Sequence, residues 1–145
     1  MKKILYTLMA ATLCLMVASC GNPASRIQSL AENIENNGDD WTDADQWEGV
    51  LEDFATATCD FLESDFTEDE AIEFGEACSA FMEAISDIDD RKAKKAMEKG
   101  AKAIGKNKEL NKRLKKAGKR AEKYAEDQDL DEDEIRDAFR GIHLL

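Results

Sequence analysis

The chain has 145 residues, of which 36% are charged, with a formal net charge of −12 and a pI near 4.5. A single proline and only 7% aromatics, against abundant Ala, Glu, Lys and Leu, leave β-strands little support and make an all-helical chain the natural reading. The length allows one domain with one small core and excludes two well-built ones. Charge comes in blocks: residues 20–90 carry 21 acids against Arg26 alone, residues 91–120 carry 14 bases against Glu98 and Glu109, and residues 121–145 return to a net of −6. Such asymmetry calls for a partner, inside or outside the molecule.

At the start of the chain, Lys2 and Lys3 precede a mostly apolar run from Ile4 to Met16, the pattern of an export signal. The run is shorter than the roughly 20 apolar residues that a membrane-spanning helix needs, and no second such stretch follows. Val17-Ala18-Ser19-Cys20 comes next. It resembles the lipobox of bacterial lipoproteins: a branched apolar residue, two small residues, then the cysteine on which processing acts. The resemblance covers residues 1–21. It implies an S-diacylglycerol thioether on Cys20, removal of residues 1–19 as a signal peptide, and N-acylation (palmitate-type) of the new terminus. Several chains anchor stably where a single chain, at about 0.8 kcal/mol per buried CH₂, binds only marginally. Ordinary secretion with cleavage near Cys20 is the alternative. Gly21 stands where an aspartate would resemble an inner-membrane retention signal, which favours the outer membrane of the cell envelope over the inner. Residues 20–24 then form a lipidated N-terminus and short tether, and residues 25–145 a single helical domain.

Ile27, Leu30, Ala31 and Ile34 keep helical spacing over Pro23 to Asn37, and Asn36-Asn37-Gly38 stops the pattern. Thr42 is placed to cap a second helix with the stripe Trp47, Val50, Leu51, Phe54, Thr58, Phe61 and Leu62, ending near Ser64. Thr67 with Glu70 predicts a capping box, with Phe66 as its staple, for a third helix whose stripe is Ala71, Phe74, Gly75, Cys78, Phe81, Met82, Ile85 and Ile88. The second and third helices, each of about 23 residues or about 35 Å, are expected to form an antiparallel hairpin. After Asp89-Asp90 a small-residue stripe, Ala93, Ala96, Met97, Gly100, Ala101 and Ile104, opposes lysines. The period leaves open whether this stretch continues the third helix. Gly105-Lys106-Asn107 marks a stop and restart, Leu110, Leu114, Ala117, Ala121 and Tyr124 mark a further helix, and Leu130 to Ile135 repeats a capping signature before a short last one.

Chemistry-bearing patterns are few. The single histidine is His143, third from the end, and there is no nucleophile motif, phosphate-cradling loop or Cys-x-x-Cys, so no enzyme, no small-molecule substrate and no cofactor beyond the covalent lipid is expected. With Cys14 in the signal and Cys20 lipidated, Cys59 and Cys78 remain. A turn at residue 65 or 66 sets Cys59 opposite Ile72, which leaves Cys78 about 9 Å away along the axis and favours free core thiols over a disulfide. Asp127, Asp129, Asp131 and Asp133 resemble the start of an EF-hand loop, but the turn glycine and the closing glutamate are missing, and a solvated loop with a helix cap competes with calcium binding. Lys112, Arg113, Lys115, Lys116, Lys119 and Arg120 make a concentrated positive face outside the apolar stripe.

The expected molecule is a small bundle of four or five helices, lipid-anchored at Cys20, with a structural or protein-interaction role toward another envelope protein. Its rival is a ligand-binding envelope lipoprotein, contacting anionic lipid or polymer through the basic 91–120 segment or calcium through the acidic 127–133 loop. Nucleic acid is not expected, because export removes the chain from it and no aromatics interleave the lysines.

Overall fold

Asn22 opens the first helix, α1 (Pro23–Asn37): its side-chain oxygen accepts from the Ser25 amide at 2.8 Å, and Pro23 stands at the first helical position, where its missing N–H leaves no bond unmade. The computed structural model describes residues 21–130. The export signal with Cys20, and residues 131–145 with Asp131, Asp133, His143 and the expected last helix, lie outside the described residues. Within 21–130 there are five α-helices, one 3₁₀ turn at Gly38–Asp40 and no strand, so the chain is an all-α bundle.

Local signals account for most helix ends. Helix α2 (Ala44–Glu63) is capped by Asp43, which accepts from the Asp45 amide, instead of by Thr42. Before α3 (Glu68–Ser86), Thr67 Oγ1 accepts from the Glu70 amide while Glu70 Oε2 accepts from the Thr67 amide at 2.8 Å, completing the capping box. These helices have 20 and 19 residues, shorter than the expected 23, because Ser64 and Asp87 end them. Asp90 opens α4 (Arg91–Gly105), accepting from the amides of Lys92 and Ala93. The α3–α4 break, which periodicity left open, is fixed from across the fold: Asp39 Oδ1 accepts from the Asp89 and Asp90 amides at 2.7 and 2.9 Å. The Asp90 and Asp89 amides in turn hold the Asp39 carboxyl below the usual carboxylate range. Asn107 caps α5 (Lys108–Asp127) by accepting from Leu110.

Helix α2 is the centre of the bundle. On one flank lies α1, which packs most extensively on α3; on the other, α4 and α5 both pack on α2. Between the antiparallel α2 and α3 stand stacked phenylalanines, Phe54 on Phe81 at 4.2 Å and Phe61 on Phe74 at 4.0 Å between centroids. Such pairs are worth about 0.5–1.5 kcal/mol beyond their buried area. The stripe of Trp47, Phe54, Phe61, Phe74 and Phe81 is fully internal, and the Trp47 indole N–H donates to the Trp41 carbonyl, so its one polar atom is satisfied. Phe66 is buried too, with its ring 4.9 Å from Phe61 and 5.1 Å from Tyr124, and so ties α5 to the α2–α3 turn. Small residues set the other seam. A Cβ on Gly100 would lie 2.8 Å from the Glu48 nitrogen and 3.0 Å from the Ala44 carbonyl oxygen, so α4 meets the first turn of α2 backbone to backbone.

Candidate functional site

The basic block resolves into two kinds of residue. At its C-terminal end α2 carries Asp60, Glu63 and, just beyond, Asp65, with no basic residue in its last turn. Carboxylates there oppose the negative end of the helix dipole and need cations from elsewhere. Three arginines supply them. Arg113 of α5 reaches Asp60 at 2.8 Å and Glu63 at 2.7 Å, Arg26 of α1 reaches the other oxygen of Asp60 at 2.6 Å, and Arg120 reaches Asp65 at 2.8 Å. Arg120 also donates to the Leu62 and Ser64 carbonyls, closing the exposed end of α2, and its guanidinium lies 5.8 Å from the Tyr124 ring centroid. The hydrogen bond from Arg113 holds Glu63 below the usual carboxylate range, and Glu63 and Asp60 together raise the Arg113 pKa.

The lysines behave differently. Among the described residues every ion pair uses an arginine, and no lysine comes within 4 Å of a carboxylate oxygen. Lys112, Lys115, Lys116 and Lys119 are exposed on the side of α5 away from Leu110, Ala117 and Ala121. Of the six basic residues read as one positive face, Arg113 and Arg120 therefore belong to the internal clamp and four lysines form the outer surface. On α4, Lys92, Lys95 and Lys99 line an open groove of about 490 Å³ whose opposite wall is Thr42 and Asp43. Sequence reading passed over Asp60, the residue that joins α1, α2 and α5. Its signal was present in the cluster of acids at a helix C-terminus that lacks local bases.

Cys59 and Cys78 are free, buried thiols. The stacked phenylalanine pairs set Glu76 opposite Cys59, so the axial offset between the cysteines is about two residues, or 3 Å, in place of the expected 9 Å. Burial pushes Cys59 up to about 11 and Cys78 up to about 12, so both are protonated and poorly nucleophilic at neutral pH. A thiol reagent is expected to modify them only as the domain unfolds.

Half of the calcium candidate is occupied by helix termination. Asp127 is the last residue of α5, and Asp129 takes a left-handed conformation, φ 55°, while its amide bonds the Glu126 carbonyl and that of Leu130 bonds Ala125. That is a Schellman ending with aspartate in the usual glycine place. Among the described residues no group of three metal-ligating side chains converges. Nor does any helix there have the length and apolarity to cross a membrane. The sequence matches no known protein-family model and no curated protein, and no solved structure matches the chain.

Proposed function

We propose that the chain is the precursor of a lipid-anchored envelope lipoprotein whose helical domain works by binding another envelope protein, in a structural or interaction role and without catalysis. The location rests on the lipobox residues Val17 to Cys20. The mode of action rests on one observation: Arg113 and Arg120, two of the three arginines of the basic block, are taken up by ion pairs within the fold, whereas its lysines are exposed and, among the described residues, have no carboxylate oxygen within 4 Å. Exposed lysines on two helices give little stability in themselves and are free to meet an acidic surface. The inert thiols add support, since they offer no nucleophile.

Intact mass of the protein extracted from membranes tests the anchor, with diacylglycerol and acyl mass on a chain starting at Cys20 as the expected result. Cross-linking in intact membranes tests the binding role. The native chain should give a discrete adduct, and Lys92, Lys95 and Lys99→Glu should abolish it without changing the melting temperature. An adduct indifferent to those charges rules out the lysine surface.

A further inference from the structure

From Glu63 to Asp90 the chain holds no basic residue, and α3 carries its acids on the outside. Asp69, Ile72, Glu73 and Glu76 recur at helical spacing and are exposed, on the face away from Ala71, Phe74 and Cys78. Ile72, 40% exposed, is the one large apolar side chain exposed among the described residues. On α4 a second ridge, Lys92, Lys95, Ala96 and Lys99, lines the groove whose other wall, Thr42 to Ala44, is the positive end of α2. Asp43 in that wall is turned to its own helix, where it caps the Asp45 amide. Within one chain the two ridges do not satisfy each other. Helix α3 packs on α1 and α4 on α2, and among the described residues no lysine lies within 4 Å of a carboxylate oxygen.

The ridges share one spacing, read in opposite directions. The steps from Lys92 to Lys95 to Lys99 are about 4.5 and 6 Å at 1.5 Å per residue, and those from Glu76 to Glu73 to Asp69 are the same. Laid antiparallel, the helices set Lys92 against Glu76, Lys95 against Glu73 and Lys99 against Asp69. Ile72 then falls on the small Ala96. Lys112, Lys115 and Lys119 of α5 repeat the spacing, but that register puts the charged Lys116 against Ile72, so α4 is the better fit.

We infer that the acidic surface met by the α4 groove is the α3 ridge of a second copy of this chain. The inference rests on the binding role proposed above for the exposed lysines, and it names their partner. Each copy carries one ridge of each sign, so the contact is heterologous: a copy that gives its α3 still presents its own α4. Exposed ion pairs contribute little singly and are screened by salt, so the association is weak, salt-sensitive and dependent on several pairs forming together.

The test mixes equal amounts of the purified chain in unlabelled and heavy-isotope form and adds a carbodiimide, which joins a carboxylate to a touching lysine amine as an amide with loss of water. Mass spectrometry should find peptide pairs of mixed isotope joining Lys92, Lys95 or Lys99 to Asp69, Glu73 or Glu76. Their yield should fall several-fold at high salt. A chain with the charges exchanged, Lys92, Lys95 and Lys99→Glu together with Asp69, Glu73 and Glu76→Lys, keeps the net charge and should give the same pairs with amine and carboxylate interchanged. All six positions are exposed, so its melting temperature should match the native one; where it does not, the native chain alone decides. Pairs of a single isotope only, pairs to α5 in place of α4, no pairs, or a folded exchanged chain without them overturns the inference. In intact membranes, an adduct lost with Lys92, Lys95 and Lys99→Glu but containing a different protein ends this inference alone. An adduct indifferent to those lysines ends the proposed lysine surface, and this inference with it.

Discussion

Helices α4 and α5 look alike in sequence, each a run of lysines and alanines with a thin apolar stripe, yet they are attached to α2 by different physics. Helix α4 docks through small residues: Ala93, Ala96 and Gly100 are buried, and its lysines take no part. Helix α5 docks partly through charge, with Arg113 and Arg120 holding the acids and carbonyls at the end of α2. A seam of small residues tolerates no added volume but is indifferent to pH and salt. A charged clamp tolerates volume and depends on both. The two helices can therefore be separated by experiment.

Adding one methyl group gives the largest contrast. Gly→Ala in a helix interior ordinarily gains up to about 1 kcal/mol. At Gly118 in α5, where nothing lies within 4 Å, Gly118→Ala should show about that gain as a higher melting temperature. At Gly100 the same atom meets backbone of α2 at 2.8 Å, and overpacking of that kind costs about 1–3 kcal/mol, so Gly100→Ala should lower it. If both substitutions stabilise, α4 does not sit as closely as described.

The clamp comes next in size. Asp60→Asn removes the partner of two arginines at a half-exposed site, where each pair is worth at most about 1 kcal/mol. A loss of roughly 1 kcal/mol is expected in denaturant titration, shrinking in high salt, with no counterpart for lysine substitutions in α4. A smaller effect follows from pH. Glu63 has its pKa lowered by Arg113, so its contribution is fully present above the unfolded value of about 4.3 and is lost as the pH falls through the folded one. At this exposed pair the contribution amounts to a few tenths of a kcal/mol, and Glu63→Gln should remove that acid limb of the stability profile.

Sequence reading reached whatever is encoded within a few residues. The Thr67–Glu70 box, the stop at Gly105 to Asn107 and the aromatic stripe of α2 and α3 are all short-range signals, and the fold realises them. Long-range pairings were not legible. The break before α4 depends on Asp39, about 50 residues earlier in the chain, and the register of α2 on α3 follows phenylalanine stacking instead of the midpoint of the turn. The site divided in the same way. Composition found the basic face as a block, but only the position of Asp60 between Arg26 and Arg113 tells its clamping arginines from its surface lysines.

That division fixes the smallest expected effect, which is a stability change near zero. Lys112, Lys115, Lys116 and Lys119→Gln touches no ion pair among the described residues, and surface substitutions of this kind stay within about 0.5 kcal/mol. Thermal melting of the fourfold variant should therefore superimpose on that of the native chain. Adding Arg113→Gln should then lower stability by roughly 1 kcal/mol, because Asp60 and Glu63 lose their shared cation while facing the negative end of α2. A fourfold variant that melts early would mean that the lysines help hold α5 to the bundle. The surface they form would then be part of the fold, with nothing left over for a membrane or a partner.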